Sequence, residues 1–268
     1  MIKADTHVHT EHSSDSQEKM ETVVKQGIKL GLKQLIFTDH MDIDFPEKYE
    51  YNFLFDVSKQ QEEIELLQEK YKDKIVLSKG IELGLQAHLR PQITTLMQMY
   101  SFDYAIGSIH IVDACDPYCM EYWERAASEE QGILKYFEAA LSCLNKIDTF
   151  DTFGHLDYVI RYAPSGAACY SYQKFSDIID EILKKLIEMG KALEVNTSGY
   201  RKNGFANPHM DVVKRFLELG GENVTIGSDA HEAAFLAADF DTICGELKNA
   251  GLRYYTTFQN RKPVHELL

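Results

Sequence analysis

Short apolar runs alternate along the whole chain with longer runs in which apolar residues recur every three or four positions. The short runs are typical of buried strands, whereas the longer runs have the period of amphipathic helices. Residues 175–187 follow the helical spacing i, i+3, i+4, i+7 most closely. Seven strand-then-helix units predict a parallel sheet with helices packed outside it. The predicted strands cover residues 2–6, 34–39, 75–83, 103–110, 152–157, 192–196 and 224–229.

The alternation of strand-like and helix-like runs continues without interruption, which favours a single domain. No Ser/Gly/Pro tract, long charge run, low-complexity segment or internal repeat divides the chain, so we expect residues 1–268 to form a single domain. The predicted fold class is α/β, a barrel of about seven units. A doubly wound open sheet is the alternative, but no GxGxxG follows the first strand. Gly190 and Gly220 stand where two helices are expected to end.

Composition and charge narrow the range of partners. The 268 residues carry a formal net charge of −14, and a surface this acidic repels nucleic-acid backbones. No apolar run approaches the roughly 20 residues that a membrane-spanning helix needs, and the first residues lack a signal-peptide pattern. We therefore expect a cytoplasmic protein that binds neither nucleic acid nor membrane, with no oligomeric state indicated. The five cysteines include no CxxC pair and are expected to be reduced thiols.

Metal-capable side chains recur at the ends of the predicted strands. The first strand leads into His7 and His9, and side-chain alternation turns both rings to the same side. Asp229 and His231 share this spacing after the last strand. In a barrel the C-terminal strand ends converge on one mouth, where active sites are built. The remaining candidates are His40, Glu82, His110 and His155 at other strand ends, with Asp15 in the loop after the first strand.

Together these side chains predict a metal centre. The carboxylates of Asp15, Glu82 and Asp229 would repel one another if they were buried without cations. Imidazole and carboxylate ligands without thiolate suit zinc, manganese or iron better than calcium or magnesium. The set exceeds the needs of one ion, so we expect two or three divalent ions with a carboxylate bridging two of them. The predicted ligands are His7, His9, Asp15, His40, Glu82, His110, His155, Asp229 and His231.

The ordered motifs resemble those of the polymerase-and-histidinol-phosphatase (PHP) superfamily. The resemblance rests on His7-x-His9, Thr38-Asp39-His40, Gly80-Ile81-Glu82, Ile109-His110, Gly154-His155 and Ser228-Asp229-Ala230-His231. It implies a distorted (β/α)7, TIM-like barrel with a trinuclear metal site at the C-terminal ends of the strands. By motif position, His7, His9, Glu82 and Asp229 would hold the first ion, Glu82, His110 and His155 the second, and Asp15, His40 and His231 the third.

Residues 154–161 and 194–202 also resemble the stand-alone histidinol-phosphatase branch of that superfamily. Each segment places an arginine, Arg161 or Arg201, where a guanidinium would grip phosphate oxygens in bidentate fashion. The resemblance implies hydrolysis of a small phosphate monoester, L-histidinol phosphate, by a metal-bridged hydroxide that attacks phosphorus. The expected catalytic residues are Asp229, Arg161 and Arg201, and the expected substrate-binding residues are Arg161, Arg201 and Asp42.

Several alternatives stay open at this point. Asp229, Asp42 and His12 are all candidates to protonate the leaving group. Within the superfamily, the rivals are a phosphoesterase acting on nucleotides, sugar phosphates or phosphotyrosine and a 5′ exonuclease, which the acidic balance disfavours. Outside that activity, the rivals are a catalytically silent metal-binding module and a single-zinc amidohydrolase. The amidohydrolases normally use a lysine on a middle strand, where this chain has Glu82.

Overall fold

A sheet of parallel strands organises the molecule, and the computed structural model describes residues 2–268. The strands are β1 (Ala4–Val8), β2 (Gln34–Phe37), β3 (His40–Met41), β4 (Val76–Gly84), β5 (Tyr104–Ser108), β6 (Thr152–Phe153), β7 (Ala192–Asn196) and β8 (Val224–Gly227). Their order is β1-β2-β4-β5-β6-β7-β8, with β3 paired to β4. A bridge between Val8 and Ala230 joins the two edges. The nearly closed barrel confirms the predicted seven-unit fold and excludes the open sheet.

Helices connect successive strands and cover the outside of the barrel. They are α1 (Met20–Leu30), α2 (Val57–Tyr71), α3 (Arg90–Met99), α4 (Met120–Arg125), α5 (Glu129–Leu144), α6 (Ser176–Glu188), α7 (Gly199–Asn203), α8 (Met210–Glu218) and α9 (Phe240–Asn249). As predicted, α6 buries Ile182 and Leu186 in the core between the barrel and its neighbouring helices. Gly190 and Gly220 follow α6 and α8 with φ of 67° and 95°, which confirms them as helix-ending residues. Within residues 2–268 no helix is long and apolar enough to cross a membrane.

Two of the differences between the predicted and the observed strands lie next to the site. The predicted strand 34–39 breaks after Phe37, because Thr38 turns to bond Val8 through its backbone N–H and its hydroxyl. β6 stops at Phe153, because the backbone of His155 has a φ of 22° that a strand cannot accommodate. Gly154 lies between them, where an added Cβ would come 2.3 Å from the Ser108 hydroxyl. The chain therefore leaves the sheet early and turns toward the mouth of the barrel.

A C-terminal hairpin, absent from the predicted elements, covers the opposite end of the barrel. It consists of β9 (Tyr254–Gln259) and β10 (Lys262–Leu267), paired antiparallel. Phe258 packs on Tyr104 with ring centroids 5.1 Å apart. The cluster at this end contains Ile36, Tyr104, Ile106, Ala192 and Phe258, contributed by β2, β5, β7 and the hairpin. The hairpin thus places an apolar plug at the N-terminal ends of the strands, away from the predicted metal ligands.

Candidate metal centre

All nine predicted ligands converge at the C-terminal end of the barrel. They come from β1 and the loop after it (His7, His9, Asp15), from β3 and β4 (His40, Glu82), and from the turns after β5, β6 and β8 (His110, His155, Asp229, His231). Most of them are buried, whereas His40 and His231 are partly exposed and Asp15 lies exposed at the rim. The strands supply rigid backbone for these side chains, and the loops close the space above them.

The first group of ligand atoms comes from His7, His9, Glu82 and Asp229. The two Nε2 atoms of His7 and His9 are 3.0 Å apart. Glu82 Oε2 lies 3.3 and 3.5 Å from those nitrogens, and Asp229 Oδ1 lies 3.6 and 3.3 Å from them. A tetrahedral ion with bonds of about 2.0–2.2 Å holds its ligand atoms about 3.3–3.6 Å apart. The spacing therefore matches a coordination sphere.

The second group shares Glu82 with the first. Its other carboxylate oxygen, Oε1, lies 3.0 Å from His155 Nε2 and 3.4 Å from His110 Nε2. Ser108 donates its hydroxyl to the same oxygen at 2.7 Å and holds the carboxylate in place. The two oxygens of one buried carboxylate thus face two different imidazole sets, as a bridging ligand requires.

The third group lies nearest to solvent. Asp15 Oδ2 is 3.1 Å from His231 Nε2 and 3.6 Å from His40 Nε2. The ring of His9 stacks against both histidines, with centroids 4.3 Å from His40 and 4.1 Å from His231. A ligand atom of His9 also lies close enough to those of His40 and His231 to share an ion with them. The boundary between the first and third groups is therefore less sharp than the motif order implies.

Unsatisfied buried atoms test whether these residues fit metal ions. Within residues 2–268, His40 Nδ1, Glu82 Oε2 and His155 Nδ1 are buried and have no hydrogen-bond partner. His40 Nδ1 even lies 2.8 Å from Glu82 Oε2 without the alignment of a hydrogen bond. Buried polar atoms without partners are costly, and a cation between such atoms removes the cost. The donor set of imidazoles and carboxylates therefore fits divalent ions of the zinc type.

The comparisons with known proteins agree with this geometry. The sequence profile described as "PHP domain" matches residues 5–198, more than half of the chain. The chain belongs to the PHP domain family.

Two curated relatives match along nearly their whole length. The probable histidinol-phosphatase of Clostridium acetobutylicum is 34% identical over 249 residues, which cover 93% of this chain and 94% of the relative. The histidinol-phosphatase of Lactococcus lactis subsp. lactis is 30% identical over 262 residues, covering 98% and 96%. A crystal structure of histidinol phosphate phosphatase from Lactococcus lactis subsp. lactis, complexed with Zn, L-histidinol and phosphate, superposes with a TM-score of 0.90 at 29% identity and covers 98% of both chains.

Glu194 contacts two of the predicted ligands, although no sequence pattern predicts a role for it. Its Oε1 lies 2.5 Å from His7 Nδ1, and its Oε2 accepts the backbone N–H of His155 at 2.7 Å. A carboxylate on the far nitrogen fixes the tautomer of a ligating imidazole and raises its basicity. Glu194 lies fully buried inside β7, where its position is that of a core side chain. A buried acidic residue in a strand was the one signal available in the sequence.

Ser13 and Asp39 orient the ring of His9 in a similar way. Ser13 Oγ lies 3.1 Å from His9 Nδ1 and accepts the backbone N–H of His40 at 3.0 Å. Its hydroxyl hydrogen is donated to Asp39 Oδ1 at 2.9 Å. Asp39 in turn accepts bonds from Thr10 and from the Gln60 amide at 2.8 Å. This network leaves Nε2 of His9 turned toward His7, Glu82 and Asp229.

Asp42, predicted to bind substrate, already has a partner. It lines the cavity above the ligand cluster, which is also lined by His110, His155, Arg161 and Asp229. Its Oδ1 lies 2.7 Å from Nδ1 of His110, and its side chain is buried. Orientation of the His110 ring accounts for this carboxylate in the same way that Glu194 orients His7. An added Cβ on Gly84 would come 1.9 Å from Asp42 Oδ1, so the glycine is required for the close approach. A direct contact between Asp42 and substrate stays a prediction.

Arg161 reaches the cavity and is held by four acceptors. Nε donates to Asn207 at 2.8 Å, Nη2 donates to Asn196 at 3.0 Å and to Ser198 at 2.5 Å, and Nη1 donates to Asp229 Oδ2 at 3.3 Å. These bonds leave one N–H of Nη1 uncommitted. The expected bidentate grip on phosphate is therefore reduced, in this arrangement, to one donor and the positive charge.

Arg201 and His12 lie farther from the centre. Arg201 is an exposed residue, and its guanidinium lies 4.7 Å from the centroid of the Phe235 ring. His12 Nε2 pairs with Glu63 at 2.9 Å, and neither residue lines the cavity. The predicted roles of Arg201 in catalysis and phosphate binding stay predictions, and the contact of His12 with Glu63 fits a loop residue. All five cysteines are free thiols, as expected.

Two of the predicted ligands have a backbone conformation that disfavours side chains. His155 has a φ of 22° and Asp229 a φ of 52°. Each strained peptide is secured by a hydrogen bond, from His155 N–H to Glu194 and from Asp229 N–H to the His7 carbonyl at 2.8 Å. Such strain persists only where the surroundings enforce it, and it concentrates at functional sites. The backbone is thus shaped to aim these two side chains inward.

The buried charged groups at this site strongly shift one another's pKa values. Burial by itself would raise the pKa of Glu82, but the imidazoles of His7, His40 and His110 lower that pKa well below its usual value. Burial would likewise lower the pKa of His7, yet the surrounding carboxylates raise it well above the usual value. Burial, with His231 and His40 as neighbours, lowers the pKa of His9 to about 3. The negative charge of the carboxylates thus demands positive charge nearby, which bound cations also supply.

Proposed function

We propose that this PHP protein hydrolyses L-histidinol phosphate to L-histidinol and phosphate. The observation that carries the proposal is Glu82, whose two oxygens face separate imidazole sets beneath a cavity that Arg161 also lines. Dinuclear sites of this kind are built for displacement at phosphorus. The Lactococcus lactis structure, with Zn, L-histidinol and phosphate bound, supports the choice of substrate because the two chains match over 98% of their length.

The proposed cofactor is two or three divalent ions of zinc, manganese or iron. The proposed ligands are His7, His9, Glu82 and Asp229 for the first ion, Glu82, His110 and His155 for the second, and Asp15, His40 and His231 for the third. Divalent ions supply Lewis-acid stabilisation of the phosphoryl charge and make water a competent nucleophile near neutral pH. The orienting carboxylates Glu194 and Asp42 keep the rings of His7 and His110 turned toward Glu82.

Arg161 is proposed to bind the phosphoryl group. Its guanidinium is buried and lines the cavity, and its remaining N–H of Nη1 is the one free to donate. The charge spread over the phosphoryl oxygens in the loose transition state interacts with such a fixed cation more strongly than it does with mobile water. Arg201 is proposed to reach the same oxygens from the rim, which requires its guanidinium to leave Phe235.

Asp229 connects the ligands with the phosphate-binding side of the cavity. Its Oδ1 faces His7 and His9, while its Oδ2 accepts bonds from Arg161 at 3.3 Å and from Ser198 at 3.1 Å. We propose that Asp229 acts as a catalytic residue through this position, because it touches both the ligand cluster and the group that contacts the phosphate. The cavity itself is small, about 130 Å³, so a bound ester displaces most of its water.

Phosphate release from L-histidinol phosphate, measured together with elemental analysis, tests the proposal. We expect turnover by metal-replete protein, loss of turnover after chelation and recovery when zinc, manganese or iron is restored. A panel of nucleotide, sugar and tyrosine phosphates decides specificity. Comparable kcat/KM values across that panel would replace the assignment with a general phosphoesterase.

Two histidine variants, one at the site and one remote from it, provide a matched test and control. His110→Asn removes a proposed ligand, whereas His88→Asn alters an exposed histidine that pairs with Asp44 at 2.9 Å. We expect the first variant to lose metal and turnover and the second to keep both. Equal loss in both variants would show that the effect does not come from the centre.

A further inference from the structure

One wall of the active-site cavity carries none of the proposed metal ligands. It is formed by the aromatic rings of Phe45, Phe53, Tyr158 and Tyr162 and by the side chain of Asp116. The rings pack in two pairs, with centroids 4.8 Å apart for Phe45 and Phe53 and 5.1 Å apart for Tyr158 and Tyr162. A carboxylate among aromatic rings is costly unless a cation or several donors accompany it.

Asp116 differs from the other acidic residues of the cavity in its partners. Asp42 faces His110, Asp229 faces Arg161, and Asp15 faces His231. By contrast, Asp116 forms no ion pair in the described part of the chain, and its Oδ1 accepts the backbone N–H of Tyr118 at 2.8 Å. Burial raises the pKa of the Asp116 carboxyl above its usual value. A cationic ligand would offset this cost by pairing with the carboxylate.

The backbone around Asp116 is fixed before any ligand arrives. Its N–H donates to the Tyr49 hydroxyl at 3.1 Å, and its carbonyl accepts the N–H of Cys119 at 2.9 Å. The next residue, Pro117, accepts a bond from the Trp123 indole N–H at 2.9 Å. Little conformational freedom is therefore lost when a ligand binds, which favours affinity.

We propose that Asp116 accepts the ammonium group of the substrate and gives the enzyme its preference for cationic phosphate monoesters. The inference rests on the proposed function and places the amine at Asp116, because Asp42, the carboxylate expected to bind substrate, is engaged by His110. The phosphoryl end then lies at the proposed ligands and Arg161, and the ammonium end lies against Asp116. Tyr158 and Tyr162 line the same cavity, with Arg161 and Lys202 lying over their rings at 5.3 and 5.2 Å from the centroids.

Asp116→Asn is the variant that tests this role. The amide oxygen still accepts the N–H of Tyr118, so the turn is kept while the charge is removed. The readout is the ratio of kcat/KM for L-histidinol phosphate to that for 3-(imidazol-4-yl)propyl phosphate, which lacks the amine. We expect the ratio to fall about tenfold to a hundredfold, as for loss of a charged hydrogen bond. Asp113→Asn, at an exposed position in the same loop, is the control and should leave the ratio unchanged.

The possible results separate the two levels of the proposal. A ratio within twofold of wild type in Asp116→Asn overturns the role of Asp116 and leaves the phosphatase assignment standing. Metal-replete wild type that fails to hydrolyse L-histidinol phosphate overturns the phosphatase assignment itself.

A wild-type measurement covers the case in which the variant does not fold. L-Histidinol and 3-(imidazol-4-yl)propanol are compared as competitive inhibitors of the metal-replete enzyme. At least tenfold weaker inhibition by the compound without the amine supports the ammonium subsite, and equal inhibition overturns it.

Discussion

The two ends of the barrel are built from the same strands but from opposite chemistry. At the C-terminal end, β4 presents Glu82 to imidazoles contributed by four other strand ends or turns. At the N-terminal end, β5 begins with Tyr104, which packs on Phe258 of the hairpin. The C-terminal end holds carboxylates and imidazoles whose charges are balanced by one another or by a bound cation. The other end is an apolar core of ordinary kind.

This contrast separates function from stability within one sheet. Buried charges cost free energy unless they are paired, so the polar end is retained for its chemistry. The apolar end removes hydrocarbon surface from water and stabilises the closed barrel. Substitutions at the polar end should therefore change metal binding and turnover more than the free energy of unfolding. Substitutions at the plug should do the reverse.

The largest effect is expected from Glu82→Gln at the polar end. The amide keeps the size of the side chain but removes the charge that faces both imidazole sets. We expect kcat to fall about a thousandfold and bound metal to be lost, since electrostatic stabilisation of this kind carries much of catalysis. Elemental analysis and phosphate release measure both. Glu65→Gln, at an exposed residue paired with Lys79, is the control, and equal damage there would contradict the role given to Glu82.

Phe258→Ala tests the contribution of the apolar end to stability. The variant removes the ring that packs on Tyr104 and leaves a cavity at the base of the barrel. We expect a loss of about 3–5 kcal/mol in the free energy of unfolding, with kcat and metal content retained. Denaturant unfolding and steady-state kinetics provide the measurements. Val264→Ala on the exposed strand β10 should cost less than about 0.5 kcal/mol, and loss of turnover in folded Phe258→Ala would show that the two ends are coupled.

Glu194→Gln sharpens the comparison because this side chain is buried like a core residue yet serves the polar end. Glu194 uses one carboxylate oxygen for His7 and the other for the His155 backbone N–H. The amide of glutamine has a single acceptor oxygen and cannot serve both. We expect metal affinity or activity to fall about 10–100-fold, as for other orienting groups. The measurement is metal affinity by competition with a chromophoric chelator. The exposed Glu188→Gln serves as the control, and unchanged affinity in Glu194→Gln would argue against orientation.

The sequence predicted the polar end better than the apolar end, for physical reasons. The proposed metal ligands lie at strand ends, so residues such as His7 and His9 form short local patterns in the sequence. The outer helices follow from apolar periodicity, and α6 is an example. Glu194 was missed because its partner His7 lies 187 residues away and nothing local marks a carboxylate as an orienting group.

The remaining differences come from tertiary contacts that no local pattern records. β6 is short because His155 turns away to bond Glu194, and that bond requires the complete barrel. The C-terminal hairpin has aromatic and β-branched residues typical of strands, but its role depends on contacts with Asp103 and Asp151, far away in the chain. The pairing of Asp42 with His110 also depends on a tertiary contact, because Asp42 packs closely against Gly84 of β4.

The smallest expected effect concerns the salt bridge that anchors the hairpin. Arg261 pairs with the buried Asp151 and donates to the Thr149 carbonyl at 2.9 Å. Burial raises the pKa of Asp151, and Arg261 opposes that rise, so Arg261→Gln should raise the pKa further. A carboxyl whose pKa is higher in the folded than in the unfolded protein loses stability as pH rises through the folded value. We therefore expect a deficit in unfolding free energy of about 1–2 kcal/mol at neutral pH that shrinks under acid conditions, with kcat unchanged. Denaturant unfolding across pH measures it against the exposed Arg253→Gln, and a deficit that grows toward acid pH would contradict this account of the anchor.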